Sequence, residues 1–403
     1  MILKHKDTYY YGAKTVIFLF LTSIIISYLY ALVTGKYNGG FLGINVEINN
    51  LLLFINFIIS IIPFAFLWFV YLYYKKKTIN MVVQVPYNFF ELFFFVIIIW
   101  HIAVTFLFGV GIMTGQISTA PTLLKPLLFI MNRFQPVYVG VMYILICRNK
   151  RKEILAIALI LLIGISRAGL GFFLYIAIAL LIKYNVLIIS YIKKHLFVVI
   201  IALLLFPFFV DLMFNIRNQL RTKTDVHQSD LTSLQLITGK LFGRLSSFSN
   251  SAIMLQEPAY FYLAAQSLNP YYFQLQVLGG LFGAQFIPNE IPERQLINMY
   301  SSENNGTYMC GTQGNLIISM FKSPYILLLN IITILVLVII TFKIIRLLNI
   351  PLVNELALIL LAYPIMSGVG NEFSFLLANF IMVFLVCLCL SSISKYGRLY
   401  NLK

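Results

Sequence analysis

The stretch "GISRAGLGF", Gly164 to Phe172, puts one arginine and three glycines in the middle of an otherwise almost wholly apolar run, Ile154 to Ile182. An arginine at membrane depth is costly, so its charge has to be answered by a protein-lined cavity or by a ligand. The run is flanked on both sides by basic clusters: Arg148, Lys150, Arg151 and Lys152 before it, Lys183, Lys193 and Lys194 after it. By the positive-inside rule both ends face the cytoplasm, so the run must cross an even number of times. It reads as a short-helix hairpin over 154–183, turning at Ser166 to Gly171. Arms of about 12 residues make about 18 Å of helix each, against a hydrocarbon core of about 30 Å. Arg167 is therefore expected below the outer surface, at the floor of a cavity open to the outside. Irregular backbone is tolerated at that depth only where protein or water surrounds it.

The rest of the chain has the same character. Its 403 residues are 61% hydrophobic and 10% charged, with a mean hydropathy of +0.91, which excludes an ordinary water-soluble domain. Further apolar runs fall at 15–33, 51–74, 89–112, 126–147, 196–214, 324–346, 354–370 and 373–392. Counting the hairpin twice gives about ten transmembrane helices, so the expected fold is an all-α polytopic integral membrane protein. Basic clusters recur between the runs, and with Lys4, Lys6, Lys14, Lys75 to Lys77, Lys343, Arg346, Lys395, Arg398 and Lys403 they place 18 of the 29 basic residues on one side. Segment 215–323 carries seven basic and six acidic residues, leaving +15 of the +16 elsewhere. Both termini are expected inside and this long loop outside. Residues 1–214 then form an N-terminal membrane bundle, 215–323 an outer region with amphipathic or re-entrant helices, and 324–403 the C-terminal membrane helices. The positive charge follows topology rather than one solvated face, so membrane lipids are expected partners and nucleic acid is not. The first apolar run reads as a retained helix rather than a cleaved signal. Cys310 alone of four cysteines lies in the loop, so no extracellular disulfide framework is expected.

His5, His101, His195 and His227 are scattered without ligand spacing, and no P-loop, nucleotide fingerprint or Gly-x-Ser-x-Gly elbow occurs. Neither metal nor cofactor is expected, and any chemistry must use a substrate that is already activated. A loop of about 109 residues is too long to be a mere connection. In it Arg217 and Arg221 stand four apart in "FNIRNQLRTKTD", as interfacial anchors or as substrate-binding groups. Lys240 and Arg244 repeat the spacing in "GKLFGRLSSFSNS", where Ser246, Ser247, Ser249 and Asn250 make a polar face that lines a sugar site or is simply solvated. The stretch "NPYYFQLQVLGGLFGAQFIPNEIPERQLIN" reads as an amphipathic or re-entrant helix, followed by a proline-bounded turn with Glu290, Glu293 and Arg294. "NNGTYMCGTQGNLI" offers Tyr308 beside glycines that permit close backbone approach to a ligand, or that only make a tight loop. Within the spans, Asp211 is expected to pair with an arginine and His101 to be a hydrogen-bonded bundle residue. Arg133 is a further charge of interest, and Glu372 marks an outer turn.

The Ser166-Arg167-Ala168-Gly169 turn between short helices, "GRLSSFS" after a span and loop, and "FIPNEIPER" before "GTQGNLI" resemble the Wzy-type O-antigen polymerases, and more distantly the O-antigen ligases. The match lies in roughly the second half of the chain, from Ser166 onward; the first 150 residues agree only in hydropathy. The resemblance implies a metal-independent, GT-C-like glycosyltransferase of the bacterial inner membrane. It would join undecaprenyl-diphosphate-linked oligosaccharides at the periplasmic face, with a chain-length regulator protein as partner. Arginine matches phosphate oxygens bidentately, so Arg167 and Arg244 are the residues expected to hold the donor diphosphate. Glu257 and Glu293 are candidate bases beside His227 and Asp211. Arg217, Arg221, Lys240, Arg294, Asn250 and Tyr308 are expected around the substrate. The related ligases use a loop histidine in their final motif; "NGTYMCGTQGN" has none, which favours polymerase over ligase, with a lipid-linked oligosaccharide flippase as the non-enzymatic alternative.

Overall fold

The computed structural model describes residues 6–39, 47–77, 83–111, 120–167, 169, 171–198, 200–201, 204–205, 208, 212, 243–299 and 309–400, except for the side chains of 6–10, 244 and 393–400. These residues are nearly all helical. In chain order the helices are α1 (Lys6–Thr34), α2 (Asn50–Lys76), α3 (Tyr87–Phe108), α4 (Lys125–Met131), α5 (Pro136–Ile146), α6 (Lys150–Ser166), α7 (Gly171–Lys183) and α8 (Asn185–Lys194). After the segment outside the described residues come α9 (Gly243–Ser246), α10 (Phe248–Gln256), α11 (Pro258–Ser267), α12 (Tyr272–Phe282), α13 (Pro292–Asn298), α14 (Gly311–Lys322), α15 (Pro324–Arg346), α16 (Val353–Ser367) and α17 (Gly370–Tyr400). Six helical stretches are long and apolar enough to cross a membrane: Tyr11–Thr34, Asn50–Lys76, Tyr87–Phe108, Thr122–Ile146, Pro324–Arg346 and Gly370–Ser392. The protein is thus a multi-pass, all-α membrane protein.

The helix boundaries follow from local chemistry. Asn49 and Asn149 cap α2 and α6 by accepting backbone N–H bonds from the first turn. Ser323 caps α15, whose first residue is Pro324, and Lys343 and Arg346 close its last turn against the helix dipole. Gly109, left-handed at φ 66, stops α3. The expected hairpin is present as α6 and α7, with its turn where the glycines stand. Its arms are 17 and 13 residues rather than about 12, because α6 starts at the capped basic segment. Past Lys183 the chain bends by 85° into α8, so Lys193 and Lys194 end a helix that lies across the bundle direction.

At one end of the bundle the basic clusters meet acidic partners. Lys183 pairs with Glu153 at 3.0 Å and Lys152 pairs with Glu91. Lys183 also donates to the carbonyls of Ile144 and Cys147, closing α5. Tyr71 donates to Glu355 at 2.8 Å, and Arg346 donates to Lys77 O at 2.9 Å while its guanidinium lies 4.8 Å from the Tyr74 ring centre. A two-residue parallel pair, β1 (Val83–Gln84) with β2 (Leu348–Asn349), joins the same end. Helix α16 has 13 of its 15 residues buried and is the centre around which the others pack.

The 215–323 region is not a separate surface loop where it is described. Helices α9 to α14 pack onto the membrane helices at the end opposite the ion pairs, among the turn between α16 and α17. Thr312 donates to Ile365 O at 2.7 Å, Asn315 to Gly368 O at 2.5 Å and Ser247 to Met366 O at 2.9 Å. Gly368, at positive φ like Gly311, lies against the Gly311 backbone, where a Cβ on Gly368 would collide with Gly311 C. Helix α12 lies along α17: a Cβ on Gly280 would meet the Ser374 hydroxyl and lie 2.7 Å from Asn371 O. The α12 residue Gln274 reaches Asn330 and Thr333 on α15, both at 2.9 Å. Small residues on α12 permit this close approach to α17.

Candidate functional site

Arg167 follows the last residue of α6, at the hairpin turn, and is only 7% exposed. It therefore does not stand on the floor of an open cavity, as the arm lengths suggested; the longer α6 and the neighbouring end of α3 enclose it. Its Nε donates to Thr105 Oγ1 at 3.0 Å and its Nη2 lies 3.0 Å from His101 Nδ1. His101 and Thr105 are one helical turn apart, so both face the same side of α3. Gly111, at φ 82, faces the guanidinium: an added Cβ would sit 2.9 Å from Nε and Cζ. The two ion pairs among the described residues are both at the other end of the bundle, and no described carboxylate lies within 4 Å of Arg167.

The apolar run 126–147 is not one continuous helix. It breaks between α4 and α5 at Asn132 to Gln135, because Pro136 lacks the N–H that would continue the ladder and restarts the helix at its first position. The amides of Tyr138 and Val139 both bond Gln135 O, so Phe134 O takes no N–H from that turn and instead meets His101 Nε2 at 2.8 Å. Asn379 Oδ1 accepts the Gln135 N–H at 2.8 Å. Arg133, in the same break, donates to Gly280 O on α12 and lies over the rings of Phe129 and Phe375, at 4.5 and 5.9 Å. His101 is the hydrogen-bonded bundle residue expected.

A second cluster surrounds Glu293. The extended Ile291 and Pro292 start α13 and turn Glu293 inward until it is 2% exposed. Its Oε2 accepts from Gln276 Nε2 at 3.0 Å and its Oε1 from the Cys310 thiol at 3.8 Å. Gln276 Oε1 in turn accepts the Gly370 N–H at 3.0 Å. Burial raises the carboxyl from 4.5 to about 7, and the same burial, with Glu293 beside it, pushes the Cys310 thiol well up. Glu372, in the first turn of α17, is close enough to Glu293 for the two carboxyl groups to interact, and its enclosed Oε2 has no hydrogen-bond partner among the described residues. It does more than mark a turn.

Other expected site residues are placed differently. Ser246, Ser247 and Ser249 are neither a sugar-lining nor a solvated face, since all three are buried. Ser246 bonds Ser27 on α1 at 3.1 Å and Ser249 bonds Asn38 at 2.5 Å, while Asn56 on α2 donates to Phe248 O at 3.0 Å. Hydroxyls serve there to let a loop helix sink among membrane helices. Asn250 donates to Met309 O at 2.5 Å, and Arg294 donates to Asn289 O at 2.6 Å within its own turn. Glu257 is half-buried where α10 meets α11. No hydrogen bond or ion pair among the described residues joins Glu257, Arg294 or Glu293 to Arg167. Asp211, Arg217, Arg221, His227, Lys240 and Tyr308 lie outside the described residues, as does the side chain of Arg244.

Sequence reasoning left out Thr105, Gly111 and Gln276. Thr105 had a signal, its i+4 spacing from His101; the other two are defined by contacts distant in sequence. Compared with protein-family models, curated proteins and solved structures, the chain matches none of them.

Proposed function

We propose that this protein polymerises undecaprenyl-diphosphate-linked oligosaccharide repeat units into O-antigen polysaccharide at the periplasmic face of the bacterial inner membrane. The observation that carries the reading is Arg167: an enclosed guanidinium at a hairpin turn, held by a histidine and a threonine and by no described carboxylate. A guanidinium kept from a protein counter-ion remains available to an anionic group, and a lipid diphosphate supplies one with geometry that a planar fork matches. The motif resemblance in the hairpin and in "FIPNEIPER" supports the same choice.

In this reading a hydroxyl oxygen of the incoming lipid-linked repeat unit attacks the anomeric carbon at the reducing end of the growing chain. The bond from that carbon to the diphosphate breaks, and undecaprenyl diphosphate leaves with the bonding pair. Arg167 stabilises the charge that develops on the leaving oxygens. The hydroxyl proton passes to Glu293, the buried carboxyl raised to about 7, a suitable value for a general base near neutral pH. Of the acids considered, Glu293 is preferred to Glu257, which is only half-buried. Holding two lipid substrates in register supplies much of the remaining acceleration.

The test is a lipopolysaccharide gel of the source strain lacking the gene, complemented with wild-type or Arg167→Ala plasmids. Core bearing a single repeat unit, restored to a ladder by wild type alone, is the expected result. Core without any O-unit would overturn it and point to ligase or flippase, and lipid-linked polymer accumulating in the periplasm would then single out the ligase.

A further inference from the structure

We propose that His101 is a positioning residue: a neutral imidazole, fixed in one tautomer, that sets the plane of the Arg167 guanidinium and turns its Nη1–Nη2 fork toward a ligand. The inference deepens the diphosphate reading above and rests on it for the identity of that ligand.

The protons can be placed by elimination. A guanidinium only donates, so His101 Nδ1, 3.0 Å from Arg167 Nη2, must be the unprotonated acceptor. A carbonyl only accepts, so His101 Nε2, 2.8 Å from Phe134 O, must carry the proton. The ring is therefore neutral with both nitrogens committed; an imidazolium would oppose N–H to N–H at Arg167. On the other side, Arg167 Nε donates to Thr105 Oγ1 at 3.0 Å, and that hydroxyl spends its own proton on Val110 O, also at 3.0 Å. One directed chain results, from Arg167 through His101 to Phe134 O and through Thr105 to Val110 O. Both terminal carbonyls lie where a helix has ended, at the α4–α5 break and just past the α3 stop.

Two acceptors one turn apart on α3 thus hold the Nε–Nη2 edge of a planar group, which fixes the plane. The guanidinium has five N–H bonds, and these two contacts use one on Nε and one on Nη2. The Nη1–Nη2 edge, the fork that matches two phosphate oxygens, is aimed by them. Its Nη1 lies on the side of Gly111, where a Cβ would come within 3.2 Å. A residue that merely filled space between α3, α5 and α6 would not need acceptor and donor at these two ring positions.

The experiment uses two amides that each keep half of the imidazole. In His101→Asn the amide oxygen stands near the Nδ1 position and still accepts from Arg167. In His101→Gln the longer side chain reaches the Nε2 position and donates to Phe134 O, but leaves Arg167 without its acceptor. Thermal unfolding of the full-length detergent-solubilised protein is measured for both variants, alone and combined with Arg167→Met. Binding of undecaprenyl diphosphate, with undecaprenyl phosphate as the comparison, is measured for wild type and the single variants. The expected result is an Asn variant more stable than the Gln variant only while Arg167 is present. In binding, the Asn variant should stay within about threefold of wild type and the Gln variant should weaken by about tenfold, the order expected for one misdirected charge-assisted bond. An Asn–Gln difference that persists in the Arg167→Met background, or equal diphosphate binding by the two amides, overturns the positioning role. If the Arg167-dependent stability difference appears but wild type binds neither lipid, positioning stands and the diphosphate reading falls.

Discussion

Replacing Glu293 by glutamine should uncouple the stability of this protein from pH and stop its chemistry together. The carboxyl is 2% exposed, accepts from Gln276 and Cys310, and forms no ion pair among the described residues, so burial raises it from 4.5 to about 7. Between those values the folded protein holds a proton that the unfolded chain has released. The native state then binds more protons, and stability falls as pH rises. The fall begins near pH 4.5 and is complete above about pH 7. Holding the proton over those 2.5 pH units corresponds to about 3 kcal/mol, an order-of-magnitude figure. Thermal melts at pH 5 and pH 8 should show wild type losing several degrees more than Glu293→Gln, whose amide does not titrate. Activity should run the other way. A base must be ionised to accept the hydroxyl proton, so polymerisation should increase through about pH 7 in wild type and drop by about 10²- to 10⁴-fold in Glu293→Gln. Equal pH slopes in the two melts would refute the buried-carboxyl argument. An active Glu293→Gln would refute the base assignment while leaving the burial argument intact.

Three further outcomes can be checked directly. Arg167→Lys should cost at least about 30-fold in polymerisation, close to the loss in Arg167→Ala, because one ammonium cannot serve Thr105, His101 and two phosphate oxygens from separate edges; a normal ladder on a lipopolysaccharide gel would contradict this. Gly111→Ala should destabilise by about 1–2 kcal/mol, because φ is 82° and the new methyl meets the guanidinium, and it should weaken undecaprenyl diphosphate binding; unchanged melting and binding would count against the packing of Arg167 on Gly111. Gly280→Ala should cost about 1–3 kcal/mol by forcing α12 off Ser374 and Asn371 on α17, seen as a lower melting temperature; wild-type stability would mean that the two helices are not so closely packed.

Where sequence and structure agree, the signal was local. Apolar length located α1, α2, α3, α15 and α17, and basic flanks with central glycines located the α6–α7 hairpin. The break in 126–147 was missed because mean hydropathy does not register a single proline: Pro136 ends one ladder and starts another without making the run less apolar. The serines after Arg244 were misread for a related reason. A hydroxyl-rich helix has the same composition whether it meets solvent or fits between membrane helices through Ser27, Asn38 and Asn56, and only the fold separates these outcomes. For the candidate site, Arg167 stood out as a charge in unfavourable company, while Glu293 was one of four candidate bases that the sequence did not rank. Gln276 and Gly111 did not, since their roles come from partners far away in the chain.

The two ion pairs among the described residues lie at one end of the bundle and Arg167 at the other, which bears on what the arginine is for. At one end Lys183 and Lys152 meet Glu153 and Glu91, while Arg346 there is held by Lys77 O and the Tyr74 ring. At the other end Arg167 has a histidine and a threonine, Arg133 has a carbonyl and two aromatic rings, and Glu293 has an amide and a thiol. An enclosed charge without a counter-ion costs several kcal/mol relative to a paired one. Carboxylates are present at this end in Glu293 and Glu372, yet neither is within 4 Å of an arginine among the described side chains. Pairing them would have lowered the cost and removed both functions proposed here: the guanidinium would be saturated, and the carboxyl would fall from about 7 to the ordinary acidic range, where it is a weak base. Keeping the cation and the acid apart, each on neutral donors and acceptors, leaves one fork for an anion and one carboxyl able to exchange a proton near neutral pH.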